Sequence, residues 1–273
     1  MKVSVVMITY NHAKYIQKAI ESILDQETNF EIELIISNDN SPDDTDLIVK
    51  KIISTHSQGN KIKYFKHEEN IGMMNNFLFS LKKGSGEYIA LCEGDDYWTD
   101  SKKLQKQIDF LDNNKDYSIC FHNVNVLEKN ILKENNIKTD LPDTSTIMDL
   151  AKGNFMHTPS VVYRNHLFKN FPEYFALSPI GDYFLHMLNA KHGKIKYYKD
   201  YMAVYRIHET SYWSSKQQLD RENIWIGFIE NIKPNFDKKV QKILSKQVYN
   251  LKKGRLKGLK RQLYKLEYFF KNS

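Results

Sequence analysis

Residues 2–9 are β-branched and almost unbroken in apolar character, as expected for a strand covered on both faces. Tyr10, Asn11 and His12 interrupt it. Ile16, Ala19, Ile20, Ile23 and Leu24 then recur at helical spacing within 13–24. The alternation repeats along the chain. Residues 31–37 read as a second strand, and the turn cluster 38–45 offers a helix start, with Ser41 as N-cap, Pro42 at N1 and Asp44 at N3. That helix continues through 47–53. Residues 61–66 form a third short strand, 70–76 lead a helix to about Lys82, and Gly84 and Gly86 end it. A fourth strand, 87–91, follows. Beyond it the pattern predicts a helix over 102–111, a strand over 117–126, a polar, irregular and mobile loop over 128–146, and a strand over 160–164. A helix over 181–190 is ended by Gly193, and 194–199 and 201–208 read as two separate strands.

Strands and helices alternating at this spacing predict an α/β fold with a wound, mostly parallel central sheet and helices on both faces. In such sheets ligands lie outside the carboxyl ends of the strands. Three polar clusters follow strands: 9–11, 38–40 and 93–96. They are expected to converge on one edge. In the third, Glu93, Asp95 and Asp96 crowd one strand end, where like charges repel and lose hydration. A divalent cation such as Mg²⁺ or Mn²⁺, bound with the phosphates of a substrate, resolves that conflict. Gly94 suits a tight turn with close ligand approach. The plainer reading is a solvated acidic turn opening the next helix.

Composition narrows the picture in two respects. Of 273 residues, 41% are hydrophobic and 27% charged, which implies a packed core, either one large domain with an appendage or two small ones. Cys92 and Cys120 are far apart in apolar surroundings, so they are expected to be buried and reduced, which suits a cytoplasmic location. Residues 3–10 are apolar but short and lack a small-residue cleavage site, and no apolar run reaches the ~18 residues of a spanning helix. The net charge of +7 is uneven: the final 41 residues carry thirteen Lys or Arg against Asp237 and Glu267, which leaves the preceding part acidic on balance.

Taken together, residues 3–11, the turn 38–43, Asn70 with Gly72, and 93–96 resemble family 2 glycosyltransferases of the GT-A fold, the type that includes bacterial capsule, O-antigen and teichoic-acid enzymes. The resemblance spans roughly 1–214. It implies a GT-A catalytic domain over 1–214, with a nucleotide-binding half (1–96) and an acceptor-binding half (97–214), followed by a basic helical extension over 215–273. It further implies inverting transfer of a sugar from a nucleotide-sugar, with UDP as the expected nucleotide, to a glycan or lipid-linked hydroxyl, assisted by Mn²⁺ or Mg²⁺. By the same resemblance, Thr9, Tyr10 and Asn11 surround the nucleotide, Asp39 bonds the base, and Asn70, Glu93, Gly94 and Arg206 complete the nucleotide site. Asp95 and His208 are the implied metal ligands. Glu93 stands where the family has the first Asp of its DxD motif. Asp182 is the implied catalytic base, with Gly181 in place of the Glu that normally precedes it. A helix N-terminus is expected to favour its ionised form. His12, His122, His157 and His192 read as structural or surface residues. Tyr97, Trp98, Tyr212 and Trp213 are either sugar-stacking or packing aromatics.

Leu244, Val248, Leu251, Leu256, Leu259, Leu263, Leu266 and Phe270 recur every three to five residues in the basic tail. Such an amphipathic helix either lies on an anionic membrane surface, or packs on the catalytic domain or a second copy in a homodimer. Two other functions compete. A sugar-nucleotide nucleotidyltransferase normally has a Gly-rich, Arg-containing loop after its first strand, and residues 9–13 contain neither. A nucleic-acid-binding protein is suggested only by the tail, and the acidic strand ends argue against nucleic acid as a partner.

Overall fold

The computed structural model describes residues 1–134, 141–209, 213 and 216–272. In chain order the elements are β1 (Val3–Thr9), α1 (Ile16–Leu24), β2 (Ile32–Asn38), α2 (Thr45–Thr55), β3 (Ile62–Lys66), α3 (Met73–Lys83), β4 (Tyr88–Leu91) and β5 (Tyr97–Trp98). Then come α4 (Lys103–Asn113), β6 (Tyr117–Glu128), β7 (Ile131–Glu134), β8 (Thr144–Ser145), α5 (Ile147–Leu150), β9 (Val162–Arg164) and α6 (Gly181–Ala190). The last are β10 (Lys194–Ile207), α7 (Gln218–Ile232), α8 (Lys238–Gly254) and α9 (Gly258–Asn272).

One sheet runs in the order β3-β2-β1-β4-β9-β6-β10-β5, with β7 on β6 and β8 on β10. The first four strands in that order are parallel, β9 is antiparallel to both neighbours, and β6 and β10 are parallel. The N-terminal half is therefore wound as expected, and β9 makes the whole sheet mixed. Alternate residues of β1 face opposite cores. Val5 and Met7 pack with α1, α2 and α4, whereas Val6 packs with α3, α6, α7 and α8. Cover on both faces explains why β1 and β2 read as continuous apolar runs.

Three expectations need correction. The helix after β2 begins at Thr45, not near Pro42, because Ser41 turns back onto Asn38: its N–H and hydroxyl both donate to Asn38 Oδ1 (2.8 and 2.7 Å). Residues 194–207 form one strand and not two. The polar Lys199 and Asp200 are absorbed as register shifts around Tyr201 against β6. The expected loop over 128–146 contains a hairpin, because β7 pairs back on β6, and it ends in β8 and α5. Residues 135–140 of that stretch lie outside the described residues.

The tail divides. Val240, Leu244 and Val248 of α8 are buried in the same core as Phe228, Ile229 and Ile232 of α7. The Gln247 amide donates to the Ala151 carbonyl (2.5 Å). On α9, by contrast, Leu263, Leu266 and Phe269 are exposed. Among the described residues no helix is long and apolar enough to cross a membrane.

Candidate active site

The carboxyl ends of β1, β2, β4 and β10 meet on one edge of the sheet. After β1, Asn11 takes a left-handed φ of 60°, and the next turn is held by side chains that precede and open α2. The N–H groups of Asn11, His12 and Ala13 donate to Ser41 Oγ, Thr45 Oγ1 and Asp43 Oδ2 (3.0, 3.1 and 2.8 Å). Residues 92–94 extend β4 beside β1, with the Gly94 N–H donating to the Ile8 carbonyl (3.0 Å). Gly94 lies in the turn closed by the Asp96 N–H on the Glu93 carbonyl (3.1 Å), and close packing also excludes a side chain there. A Cβ there would stand 2.7 Å from Thr9 Oγ1 and 2.9 Å from Ile16 Cδ1.

This extension carries three carboxylates in three different settings. Asp96 is buried and turned toward β10, where its Oδ1 accepts the Arg206 N–H (2.8 Å). Burial, followed by the charges of Asp95 and Glu93, pushes its carboxyl well above the usual range. Asp95 receives the His208 ring, Nε2 to Oδ2 at 2.9 Å, and His12 Nε2 lies 3.9 Å from the same oxygen. Burial alone would raise Asp95, but the His208 hydrogen bond and the two imidazoles outweigh it and hold the carboxyl below its ordinary value. Glu93 faces the cleft and is pushed up to about 8, first by burial and then by Asp95 and Asp182.

The cleft has a volume of about 800 Å³. Glu93, Asp95 and Asp182 line it together, with Asn154, Tyr205, Trp213 and Trp225 among the remaining walls. Asp182 sits in the first turn of α6, and its Oδ2 accepts from the Asn154 amide (3.3 Å). The Tyr183 N–H and Asn154 favour the anion, but burial outweighs them and the carboxyl is raised. The helix N-terminus thus favours the anion as expected, but desolvation is the larger effect. Gly181 has a steric reason, since a Cβ there would meet Met74 Sδ at 2.7 Å and Phe77 Cδ1 at 3.1 Å.

The other expected residues form a neighbouring group. Asp39 is buried and joined to β1 by its N–H donating to the Thr9 carbonyl (3.0 Å). Its two oxygens accept the Ile71 and Gly72 N–H groups (2.8 and 3.0 Å), and Asn70 Oδ1 also accepts from Gly72 (3.1 Å). Asp39 thus anchors the loop before α3, while Asn70 and Tyr10 are exposed. Arg206 Nε donates to the Asp95 carbonyl (2.8 Å), and its guanidinium lies 4.6 Å over Tyr15 and 5.5 Å from the Tyr97 ring centre. Trp98 is a core residue whose Nε1 donates to the Pro159 carbonyl (2.9 Å), and Tyr212 lies outside the described residues.

His12 was missed as a site residue by the sequence reading, although its position directly after Asn11 in the loop following β1 was a usable signal. His157 also lines the cleft. Among the described residues, His12, Asp95 and His208 form one group able to hold a metal, and Glu93, Asp95 and Asp96 another. Among the described residues, the buried Thr9 Oγ1, His12 Nδ1, Asp95 Oδ1 and Asp96 Oδ2 find no hydrogen-bond partner. Orphaned carboxylate oxygens beside two imidazoles fit a divalent cation.

The sequence of residues 4–171 matches the model of glycosyl transferase family 2. The chain belongs to that family. An uncharacterised protein of Mycobacterium tuberculosis is 37% identical over 228 residues, covering 81% of this chain and 63% of the relative. The chain thus spans under two thirds of that relative's length. An uncharacterised glycosyltransferase of Nostoc sp. is 28% identical over 221 residues, covering 76% of this chain and 65% of the relative. Among solved structures, TarS 1–349 of S. aureus in complex with UDP-GlcNAc superposes with a TM-score of 0.68 at 20% identity, covering 97% of this family 2 chain and 78% of TarS 1–349. The mannosyltransferase PcManGT of Pyrobaculum calidifontis, in complex with GDP-Man and Mn²⁺, gives 0.67 at 15%, covering 91% and 69%. These likenesses establish the GT-A fold.

Proposed function

We propose that this family 2 chain is an inverting glycosyltransferase. It moves a sugar from a nucleotide-sugar to a hydroxyl of a glycan or lipid-linked acceptor in bacterial surface polysaccharide synthesis, at the cytoplasmic face of the membrane. The observation that carries the reading is the convergence of Asp182, Glu93 and Asp95 in one cleft beside the His12–Asp95–His208 cluster. Family membership favours it over a nucleotidyltransferase or a nucleic-acid-binding protein.

In this reading the acceptor oxygen attacks the anomeric carbon as the bond to the diphosphate breaks, and the acceptor's proton passes to Asp182. Asn154 fixes one Asp182 oxygen, and the raised carboxyl pKa makes the anion a stronger base. Asp95 and His208 would hold a divalent ion, which would supply positive charge for the departing nucleoside diphosphate. The Arg206 guanidinium, fixed against the Asp95 carbonyl, adds positive charge beside that position. Thr9, Tyr10, Asn11, Asp39 and Asn70 form the nucleotide side of the site. TarS was captured with UDP-GlcNAc and PcManGT with GDP-Man, so UDP and GDP donors are both assayed, with dTDP donors beside them. The test measures nucleoside diphosphate released from that panel with Mn²⁺ or with chelator. Metal-dependent release from one donor supports the proposal, and no release from any donor, with or without candidate acceptors, contradicts it.

For a lipid-linked acceptor, the supporting observation is α9, whose exposed Leu263, Leu266 and Phe269 accompany Lys260, Arg261 and Lys265. A basic helix with an apolar side suits an anionic bilayer surface. Flotation of the chain with anionic vesicles, lost on removing residues 257–273, is the expected result. Equal flotation of the shortened chain counts against it.

A further inference from the structure

We propose that His12 is a third direct ligand, so that His12, Asp95 and His208 form a two-imidazole, one-carboxylate site that selects Mn²⁺ over Mg²⁺. This deepens the reading of the site as a metal-assisted transfer centre. Three observations carry it. The ligand atoms of the three residues all lie within 4.8 Å of one another. An ion with bonds of ~2.0–2.2 Å places neighbouring ligands roughly 3 Å apart and opposite ones roughly 4.4 Å apart, so the set needs only small adjustment to close on one ion.

The second observation is convergence. Both imidazole Nε2 atoms approach the same oxygen of Asp95, at 2.9 Å from His208 and 3.9 Å from His12. The other oxygen of that carboxylate, Oδ1, is buried without a partner among the described residues, as is Nδ1 of His12. The third is positioning. The backbone around His12 is tied down by three consecutive N–H bonds to Ser41, Thr45 and Asp43, and the ring packs edge-on to His208 at 6.0 Å. Ligands on β1, β4 and β10 segments are thus brought together by the sheet edge itself.

The choice of ion follows from the donor atoms. Mg²⁺ is hard, takes oxygen ligands and keeps its waters, whereas imidazole suits first-row transition metals. A site offering two nitrogens and one oxygen discriminates against Mg²⁺ in a way that a carboxylate pair does not.

The test uses the full chain, stripped with chelator and free of donor, so metal binding is read separately from turnover. Calorimetry measures Mn²⁺ and Mg²⁺ affinity for the wild type, His12→Ala and His208→Ala. Pulsed EPR of bound Mn²⁺ counts coupled imidazole nitrogens. Wild type is expected to bind Mn²⁺ more tightly than Mg²⁺ and to show two imidazole couplings. His12→Ala is expected to show one coupling and to lose at least about 10-fold in Mn²⁺ affinity, since even outer-shell partners cost ~10–100-fold. A single coupling in the wild type, equal affinity for the two ions, or unchanged Mn²⁺ binding in His12→Ala overturns the proposal. The wild-type count decides the matter even if a variant misfolds.

Discussion

Replacing Asp182 by Asn separates catalysis from folding. The two side chains have nearly the same shape, and the Asn carbonyl oxygen can still accept the Asn154 amide that now reaches Oδ2 at 3.3 Å. What disappears is the proton acceptor. General-base catalysis is worth roughly 10²–10⁴-fold, so turnover should fall by that factor, equivalent to roughly 3–5 kcal/mol in the barrier. Stability should move the other way or not at all. Burial raises the Asp182 carboxyl in the folded chain, so the unfolded state releases its proton at lower pH. The associated stability is full below the unfolded pKa and is lost as pH rises to the folded one. Above the folded pKa the wild type therefore bears a buried charge that the amide lacks. The assays are steady-state transfer with saturating donor and acceptor, and a thermal melt at neutral pH. The wild-type rate should also fall as pH drops through the raised pKa of the base. Turnover of the variant within about 10-fold of wild type would refute the assignment, as would a rate loss tracking a lowered melting temperature.

Other consequences follow from packing and burial. Gly94→Ala sets a Cβ 2.7 Å from Thr9 Oγ1 and 2.9 Å from Ile16 Cδ1, so chemical denaturation should show a loss of about 1–3 kcal/mol, as for other overpacked sites. Leu244→Ala in α8 should cost about 2–5 kcal/mol, whereas Leu263→Ala on the exposed side of α9 should stay within about 0.5 kcal/mol, with urea melts reporting both. Lys103 is fully buried, donating to Gln107 Oε1 (2.9 Å) over the Trp98 ring, and burial lowers its amine to about 7. Its unfolded value is near 10.4, so the unfolded chain binds more protons above pH 7, and stability should rise from pH 7 to 8 by up to ~1.4 kcal/mol. Lys103→Met should flatten that rise in paired melts.

Much of the fold could be read from the sequence where burial imposes a simple pattern. The strands β1 and β2 are covered on both faces, and their unbroken apolar runs located them to within a residue. Reading was harder where local polarity and tertiary pairing disagree. Lys199 and Asp200 suggested a break, but long pairing with β6 carries β10 through them. β7 is exposed throughout and lacks the alternation that marks a half-buried strand. The carboxylate cluster was legible because three acids at one strand end conflict with packing, but their division of labour was not. Asp96 turns inward to the Arg206 N–H, Asp95 toward the histidines, and Glu93 toward the cleft. That division depends on β10, more than a hundred residues away. His12 was hidden for the same reason: its partner His208 comes from the opposite end of the domain. Asp182 and Gly181 were found by resemblance. The structure adds that a Cβ at position 181 would crowd the side chains of Met74 and Phe77.

The central claim is that Asp95 holds a divalent ion through which the pyrophosphate of a sugar donor is gripped. Calorimetric titration with UDP, GDP and dTDP, in Mn²⁺ and again in chelator, tests it directly on the wild type and on Asp95→Ala. One of the nucleotides should bind in Mn²⁺, and its affinity should collapse both with chelator and in the variant. Nucleotide binding that is indifferent to metal and to Asp95 would contradict the account.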